Sequence, residues 1–283
     1  MNRREFFAAS AASALAAQAA PLPLKKGLVY SMLPKAASIA EKFRMAKECG
    51  FPEVECYTTP DQAEAAEIKQ AAAAAGVRIH SVMNQAHWKF PLSSADPAVV
   101  AESMKGLETS IRNAHFWGAE TVLLVPAVVN PETRYQDAWT RSQAQVRKIL
   151  PLAAELKVII AMENVGNKFL LSPLEFARYV DEFKSPWVRA YFDVGNNLAV
   201  MYPQDWILTL GKRIVKLHFK ESSIKRVPGQ QLKLGEGDID WKAVASAIRT
   251  IGYTGSATLE MRGGDEAILK DLSARVDKIL AMA

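Results

Sequence analysis

The sequence predicts a single-domain α/β fold, a closed (β/α)8 TIM barrel. From Lys26 onward, short apolar β-branched runs alternate eight times with longer amphipathic segments, which is the rhythm of parallel strands joined by crossover helices. Eight such units in roughly 260 residues is the usual size of a closed barrel. An open doubly wound sheet shares the rhythm but usually has fewer strands and a glycine-rich nucleotide loop. Neither G-x-G-x-x-G after the first strand nor G-x-x-x-x-G-K-[ST] occurs here.

Taken in order, the strands are read at Gly27–Met32, Glu53–Tyr57, Arg78–Asn84, Thr121–Pro126, Val158–Glu163, Arg189–Asp193, Ile214–Phe219 and Ser256–Glu260. Each is short and mostly apolar, as a strand covered by helices should be. The helices between and after them are read at Ala37–Glu48, Gln62–Ala75, Pro97–Trp117, Gln136–Leu156, Pro173–Phe183, Trp206–Leu210, Trp241–Ile251 and Asp265–Met282. Several open on a cap or a proline, as at Ser172-Pro173 and Asp240-Trp241, and others close on glycine, as at Gly50 and Gly76. The longest irregular stretch, Glu221–Asp238, follows the seventh strand, and loops that long are commonly functional in a compact domain.

With 283 residues, 49% of them hydrophobic, the chain can bury a substantial core unaided. The net charge is only +5 and no long basic run occurs, so nucleic acid is not suggested as a partner. Residues 1–19 read as a twin-arginine export signal: Arg3-Arg4-Glu5-Phe6-Phe7, an alanine-rich stretch, then small residues before Pro21. Its apolar part is too short for a permanent span of about 20 residues. Export to the periplasm with no stable membrane anchor is the expectation, with the barrel occupying residues 26–283. Cys49 and Cys56 form no thiolate metal pattern and read as buried free thiols, although a disulfide between them would be feasible after export.

A barrel carries its active site at the carboxyl ends of its strands, so the informative residues are polar ones closing an apolar run. Strands five to eight end on Glu163, Asp193, His218 and Glu260. Singly, each has an ordinary explanation: Asp193 as a cap ahead of Gly195, His218 as a hydrogen-bonded core histidine. Together, three carboxylates aimed at one spot repel strongly unless a cation is present. Three oxygens and one nitrogen suit a divalent ion, Mn2+ first and Mg2+, Co2+ or Zn2+ as alternatives. Weaker substrate-binding candidates are His80, His87 and Trp88 at or just beyond strand three, together with Asn196, Lys220 and Arg262. Lys220, Lys225 and Arg226 could receive a phosphate, or simply be a solvated loop. Gly235-Glu236-Gly237 reads as a turn or as a lid hinge, and His115 as structural.

The strings Glu163-Asn164-Val165, Tyr191-Phe192-Asp193-Val194-Gly195-Asn196, Lys216-Leu217-His218-Phe219-Lys220, Gly235-Glu236-Gly237-Asp238-Ile239-Asp240-Trp241 and Gly252-Tyr253-Thr254-Gly255 resemble the xylose-isomerase-like sugar isomerases and epimerases. That group includes pentulose-5-phosphate 3-epimerases, ketohexose 3-epimerases and hydroxypyruvate isomerases. The resemblance implies that Glu163, Asp193, His218 and Glu260 bind the metal and that Glu163 and Glu260 are the catalytic acid and base. It also implies a small carbohydrate substrate, and a homodimer or tetramer is the assembly considered. Many ketohexose epimerases carry histidine where this chain has Asn196, as the pentulose-phosphate branch does; export points instead to an unphosphorylated sugar. A lyase eliminating from a keto-sugar or keto-glycoside is the alternative on the same site. An abasic-site endonuclease is disfavoured by only four histidines, and a retired sugar-binding scaffold by the intact glutamates.

Overall fold

The computed structural model describes residues 20–225 and 232–282. Residues 1–19, with the expected export signal, lie outside the described residues, as does Arg226. Eight parallel strands close in sequential order into a barrel: β1 (Lys25–Val29), β2 (Glu53–Tyr57), β3 (Arg78–Met83), β4 (Thr121–Leu124), β5 (Ile159–Glu163), β6 (Val188–Asp193), β7 (Ile214–Phe219) and β8 (Ser256–Leu259). Closure is made by β1 pairing with β8 over Lys25↔Ser256 to Leu28↔Leu259. The outer layer comprises α1 (Ile39–Glu48), α2 (Gln62–Ala75), α4 (Pro97–Trp117), α5 (Tyr135–Glu155), α6 (Pro173–Asp181), α7 (Pro203–Leu210), α8 (Trp241–Thr250) and α9 (Glu266–Leu280), with a short α3 (Ala86–Lys89) before α4.

The helices begin where the sequence offers acceptors for their first amide groups. Ser38 and Glu41 form a reciprocal capping box on α1, Asp61 accepts from Ala63 and Glu64 on α2, and Asp240 accepts from Ala243 on α8. Gly76 and Gly118 end α2 and α4 in the left-handed conformation, at φ 62° and 73°.

The main apolar core lies between the strands and the helices. Val54, Val122, Ile160, Phe192 and Leu217 point outward from alternate strand positions and meet Ile68, Ile111, Val146, Phe176 and Ile207, all fully buried. Burying one such side chain stabilises the fold by ~1.5–3 kcal/mol. The intervening positions face the barrel interior, where the apolar content is small: Leu123, Ala161 and Tyr191 form a separate cluster of their own.

Several boundaries differ from those expected. The first strand ends at Val29, and Tyr30–Met32 is a 3-10 turn rather than strand. Gly263 packs directly on the Met32 carbonyl and Gly264 donates its N–H to that oxygen at 3.2 Å, so the backbone there is committed to the β8–α9 connection. The fourth strand stops at Leu124, the seventh helix begins at Pro203, and α3 was not anticipated.

Candidate functional site

β5, β6 and β7 end at one level of the barrel and β8 joins them two residues past its last inward threonine. Asp193 pairs directly with His218, and His218 with Thr258; Glu260 continues the Thr258 face by one pleat. One ligand atom each from Glu163, Asp193, His218 and Glu260 falls within 4.8 Å of the others. His218 Nδ1 lies 2.9 Å from Glu163 Oε1, 3.5 Å from Glu260 Oε2 and 3.7 Å from Asp193 Oδ2.

Asp193 divides its two oxygens between two tasks. Oδ1 accepts from the amides of Gly195 at 2.7 Å and Asn196 at 2.8 Å, holding the turn after β6. Oδ2 is buried with no hydrogen-bond partner among the described residues. Asn164 braces this aspartate, its Nδ2 donating to the Asp193 carbonyl and its Oδ1 accepting from the Asp193 amide, each at 2.9 Å. Gly195 is required because a Cβ there would run into the Lys220 carbonyl.

Lys220 enters the cluster from the end of β7. Its ammonium is 2.7 Å from Glu260 Oε2, 3.1 Å from Asn196 Oδ1 and 3.8 Å from Asp193 Oδ2. Burial pushes Glu163 above the usual carboxylate range and raises Asp193 to about 7. Burial works in the same direction on Glu260, but His218 and Lys220 outweigh it and hold that carboxyl low. Burial disfavours charge on His218, yet Glu55, Glu163 and Glu260 raise it well above an ordinary histidine. Lys220 is raised as well, Asp193 and Glu260 overcoming its burial.

The donor set fits a divalent cation: one imidazole nitrogen, three carboxylates and an orphaned buried oxygen on Asp193 that a cation would satisfy. In the protein alone, the imidazole and the Lys220 ammonium supply the balancing charge.

The weaker candidates divide. Asn196 and Lys220 stand in the cluster. His80 is not at the mouth: it lies within β3, fully buried, with Nε2 3.1 Å from Thr258 Oγ1, and burial drives its pKa well down. His87 sits in α3, buried, its Nδ1 facing the Val125 amide at 3.3 Å; burial lowers its pKa to about 3. Trp88 is 57% exposed, edge-on to His87. Arg262 and Lys225 are exposed. His115 makes a structural contact to the Leu156 carbonyl at 3.1 Å, and Cys49 and Cys56 are free, buried thiols. In the Gly235–Gly237 turn, the Gly235 amide donates to Glu221 Oε2 at 2.6 Å, and Trp241 Nε1 donates to the same oxygen at 2.9 Å.

One residue escaped sequence reasoning. Glu55 of β2 is fully buried, with Oε1 3.0 Å from His218 Nε2. The signal was present in Glu53-Val54-Glu55, two charges on the inward positions of a buried strand.

A closed eight-fold barrel with a carboxylate–histidine cluster at its strand ends defines the class of protein. The chain belongs to the xylose isomerase-like TIM barrel family, whose model matches residues 43–278. It is 27% identical over 249 residues to the L-ribulose-5-phosphate 3-epimerase UlaE of Salmonella paratyphi C, covering 83% of this chain and 86% of the relative. Among solved structures, an L-ribulose 3-epimerase matches with TM-score 0.78 at 19% identity, covering 91% of this chain and 94% of that one. The 3-keto-D-glucoside 4-epimerase YcjR of E. coli matches with TM-score 0.72 at 16% identity, covering 90% and 98%.

Proposed function

We propose that this protein is a metal-dependent isomerase or epimerase of a small carbohydrate, moving a proton on a carbon next to a carbonyl. The observation that carries this reading is the convergence of Glu163 and Glu260 on His218 Nδ1, with Asp193 completing the set within 4.8 Å. These four residues would hold a divalent ion, with Mn2+ the first candidate, and such an ion would supply positive charge to offset the negative charge that develops on a carbonyl oxygen. One glutamate takes the proton from carbon and the other returns a proton to the opposite face, which inverts the stereocentre. Return to the neighbouring carbon gives the aldose–ketose outcome instead. Lys220 lies beside Glu260 and donates to Asn196, and both are assigned to hold substrate oxygens. Similarity to UlaE and Asn196 favour a pentulose 5-phosphate, whereas the Arg3-Arg4 leader favours a free sugar or glycoside met outside the cytoplasm.

Elimination is the second reading: Lys220, whose ammonium is 2.7 Å from the Glu260 carboxylate, is the proton donor that a departing oxygen would require. A single experiment separates the readings: metal-loaded protein is incubated with free ketoses, pentulose 5-phosphates and keto-glycosides in deuterated water and the products are followed by NMR. Deuterium next to the carbonyl with the skeleton intact is the expected result. A released aglycone would establish the lyase. No exchange with any of these sugars, unchanged by Glu260→Gln, would sink both.

We infer from residues 1–19 that the protein is exported and acts in the periplasm, which cell fractionation of the full chain tests. Among the described residues no helix is long and apolar enough to cross a membrane.

A further inference from the structure

His218 must present a bare Nδ1 if it is to serve as a metal ligand, because Nδ1 is the ring nitrogen that faces Glu163, Glu260 and Asp193. An imidazole bound through Nδ1 carries its proton on Nε2, and that proton, buried with the ring, needs an acceptor. The acceptor is Glu55. Its Oε1 stands 3.0 Å from Nε2, and both side chains are entirely buried. The two residues are 163 positions apart and sit on β2 and β7, so the contact reaches across the barrel interior. The face of the imidazole is held as well: the Tyr191 ring lies 4.4 Å from it, centre to centre, and the Tyr191 hydroxyl is tied to Thr258 Oγ1 at 3.3 Å. Ring angle and proton position are therefore fixed by separate neighbours.

A carboxyl at zero exposure is costly to bury without a partner, so Glu55 is not there for packing. The outward residues of the same strand, Val54 and Cys56, do that work. From this geometry we infer that Glu55 is the positioning residue of the metal centre, fixing His218 in the Nε2–H tautomer with Nδ1 aimed at the three carboxylates. The inference rests on the metal-site reading above and adds to it a residue on β2, outside the ligand strands.

Two readouts test it. In metal-free and Zn2+-loaded wild-type protein, 15N NMR of the His218 ring is expected to show the Nε2–H in a hydrogen bond, with Nδ1 deprotonated once Zn2+ is present. Zn2+ on Nε2 would overturn the inference without any variant being made. Mn2+ titration by calorimetry then compares wild type with Glu55→Gln, which keeps an acceptor oxygen, and Glu55→Met, which keeps the bulk and removes the acceptor. Methionine is expected to weaken Mn2+ binding by ~10–100-fold and glutamine by clearly less, with folding checked by circular dichroism. Equal losses in the two folded variants, or wild-type affinity in Glu55→Met, would overturn it. If Glu55→Met does not fold, Glu55→Gln and the wild-type ring spectrum decide alone. Wild-type protein that binds neither Mn2+ nor Zn2+ would refute the metal-site reading, and the metal-free ring spectrum would still show whether Glu55 holds the His218 proton.

Discussion

If the cluster holds a divalent ion, Lys220 would compete with it for the same carboxylates, and removing Lys220 should tighten metal binding. The ammonium is 2.7 Å from Glu260 and 3.8 Å from Asp193. Coulomb's law at 2.7 Å gives an attraction of ~1.5 kcal/mol at the dielectric of water and ~6 kcal/mol at an effective value of about 20. Lys220 is a third exposed and Glu260 nearly so, and desolvation opposes both charges, so the net contribution falls to ~1–2 kcal/mol. In Lys220→Met, which keeps length and loses charge, the metal-free protein should lose that amount in urea denaturation. The metal-loaded protein should lose little, because the ion supplies the missing charge. By linkage the difference reappears as metal affinity: ~1–2 kcal/mol corresponds to ~5–30-fold tighter binding of Mn2+. Calorimetric titration of both proteins at one pH and ionic strength measures it. Unchanged or weaker binding by a folded variant would show that Lys220 does not neutralise these carboxylates and would refute the reasoning.

Removing metal with EDTA should lower the melting temperature: an ion present at ~100 times its Kd stabilises by ~2.7 kcal/mol, which at ~2–4 °C per kcal/mol is about 5–11 °C by differential scanning calorimetry. The pH dependence of the metal-free protein has a definite sign. Asp193 is raised from 3.8 to about 7 by burial, so its contribution to stability is complete below 3.8 and is lost as pH rises through 7. His218, raised above 6.5, contributes fully below 6.5 and loses that contribution as pH climbs past its raised value, so urea midpoints of EDTA-treated protein should fall from about pH 5 to about pH 8. Glu260, held low, acts in the opposite sense only below the ordinary glutamate range. Because the metal displaces the same protons, its affinity should rise over that interval, and a flat titration series would count against the ligand set. Gly195→Ala should cost ~1–3 kcal/mol in chemical denaturation and weaken metal binding, since its methyl group meets the backbone carbonyl of Lys220 rather than a side chain that can turn away.

The strands, their order and the ends of β5 to β8 were legible because alternation along a strand sorts inward from outward residues, and a charge on an inward position is conspicuous. The height of a residue within the barrel was not legible. His80, a substrate-binding candidate at strand three, falls where the β2–β3 pairing passes from Val54↔Ile79 to Glu55↔Ser81, which leaves it unpaired between them and buried beneath the site. Glu55 carried the same signal as Glu163 but faces the cluster from the opposite wall, and only closure of the barrel reveals that. Tyr30–Met32 continues an apolar run, so period alone cannot tell a strand from a buried turn. For Asp193 the two readings, helix-side cap and ligand, do not exclude one another: Oδ1 holds the turn, and Oδ2 is left without a hydrogen-bond partner among the described residues.

The barrel interior ties these particulars to function. TIM barrels usually fill their centre with branched apolar side chains, but here, among the described residues, the separate interior cluster is Leu123, Ala161 and Tyr191 with Met83 and Val215 packed against it. Below the carboxylate–histidine cluster, Tyr191, Thr258 and His80 are joined by hydrogen bonds of 3.3 and 3.1 Å. Towards the amino-terminal floor, Ser256 donates to Glu53 at 2.6 Å and accepts from Lys216 at 3.3 Å, while Arg78 closes on Glu53 at 2.8 Å. Net stability from such a network is small, since each bond replaces one to water; the outer apolar layer supplies most of the folding free energy. What the inner network adds is direction. Dispersion contacts tolerate a ring turned by some tens of degrees, whereas a buried hydrogen bond does not. A site that must hold three carboxylates and an imidazole in fixed relation is therefore better supported from beneath by polar contacts than by a greasy core, and the sequence places its inward serine, threonine, histidine and glutamate accordingly.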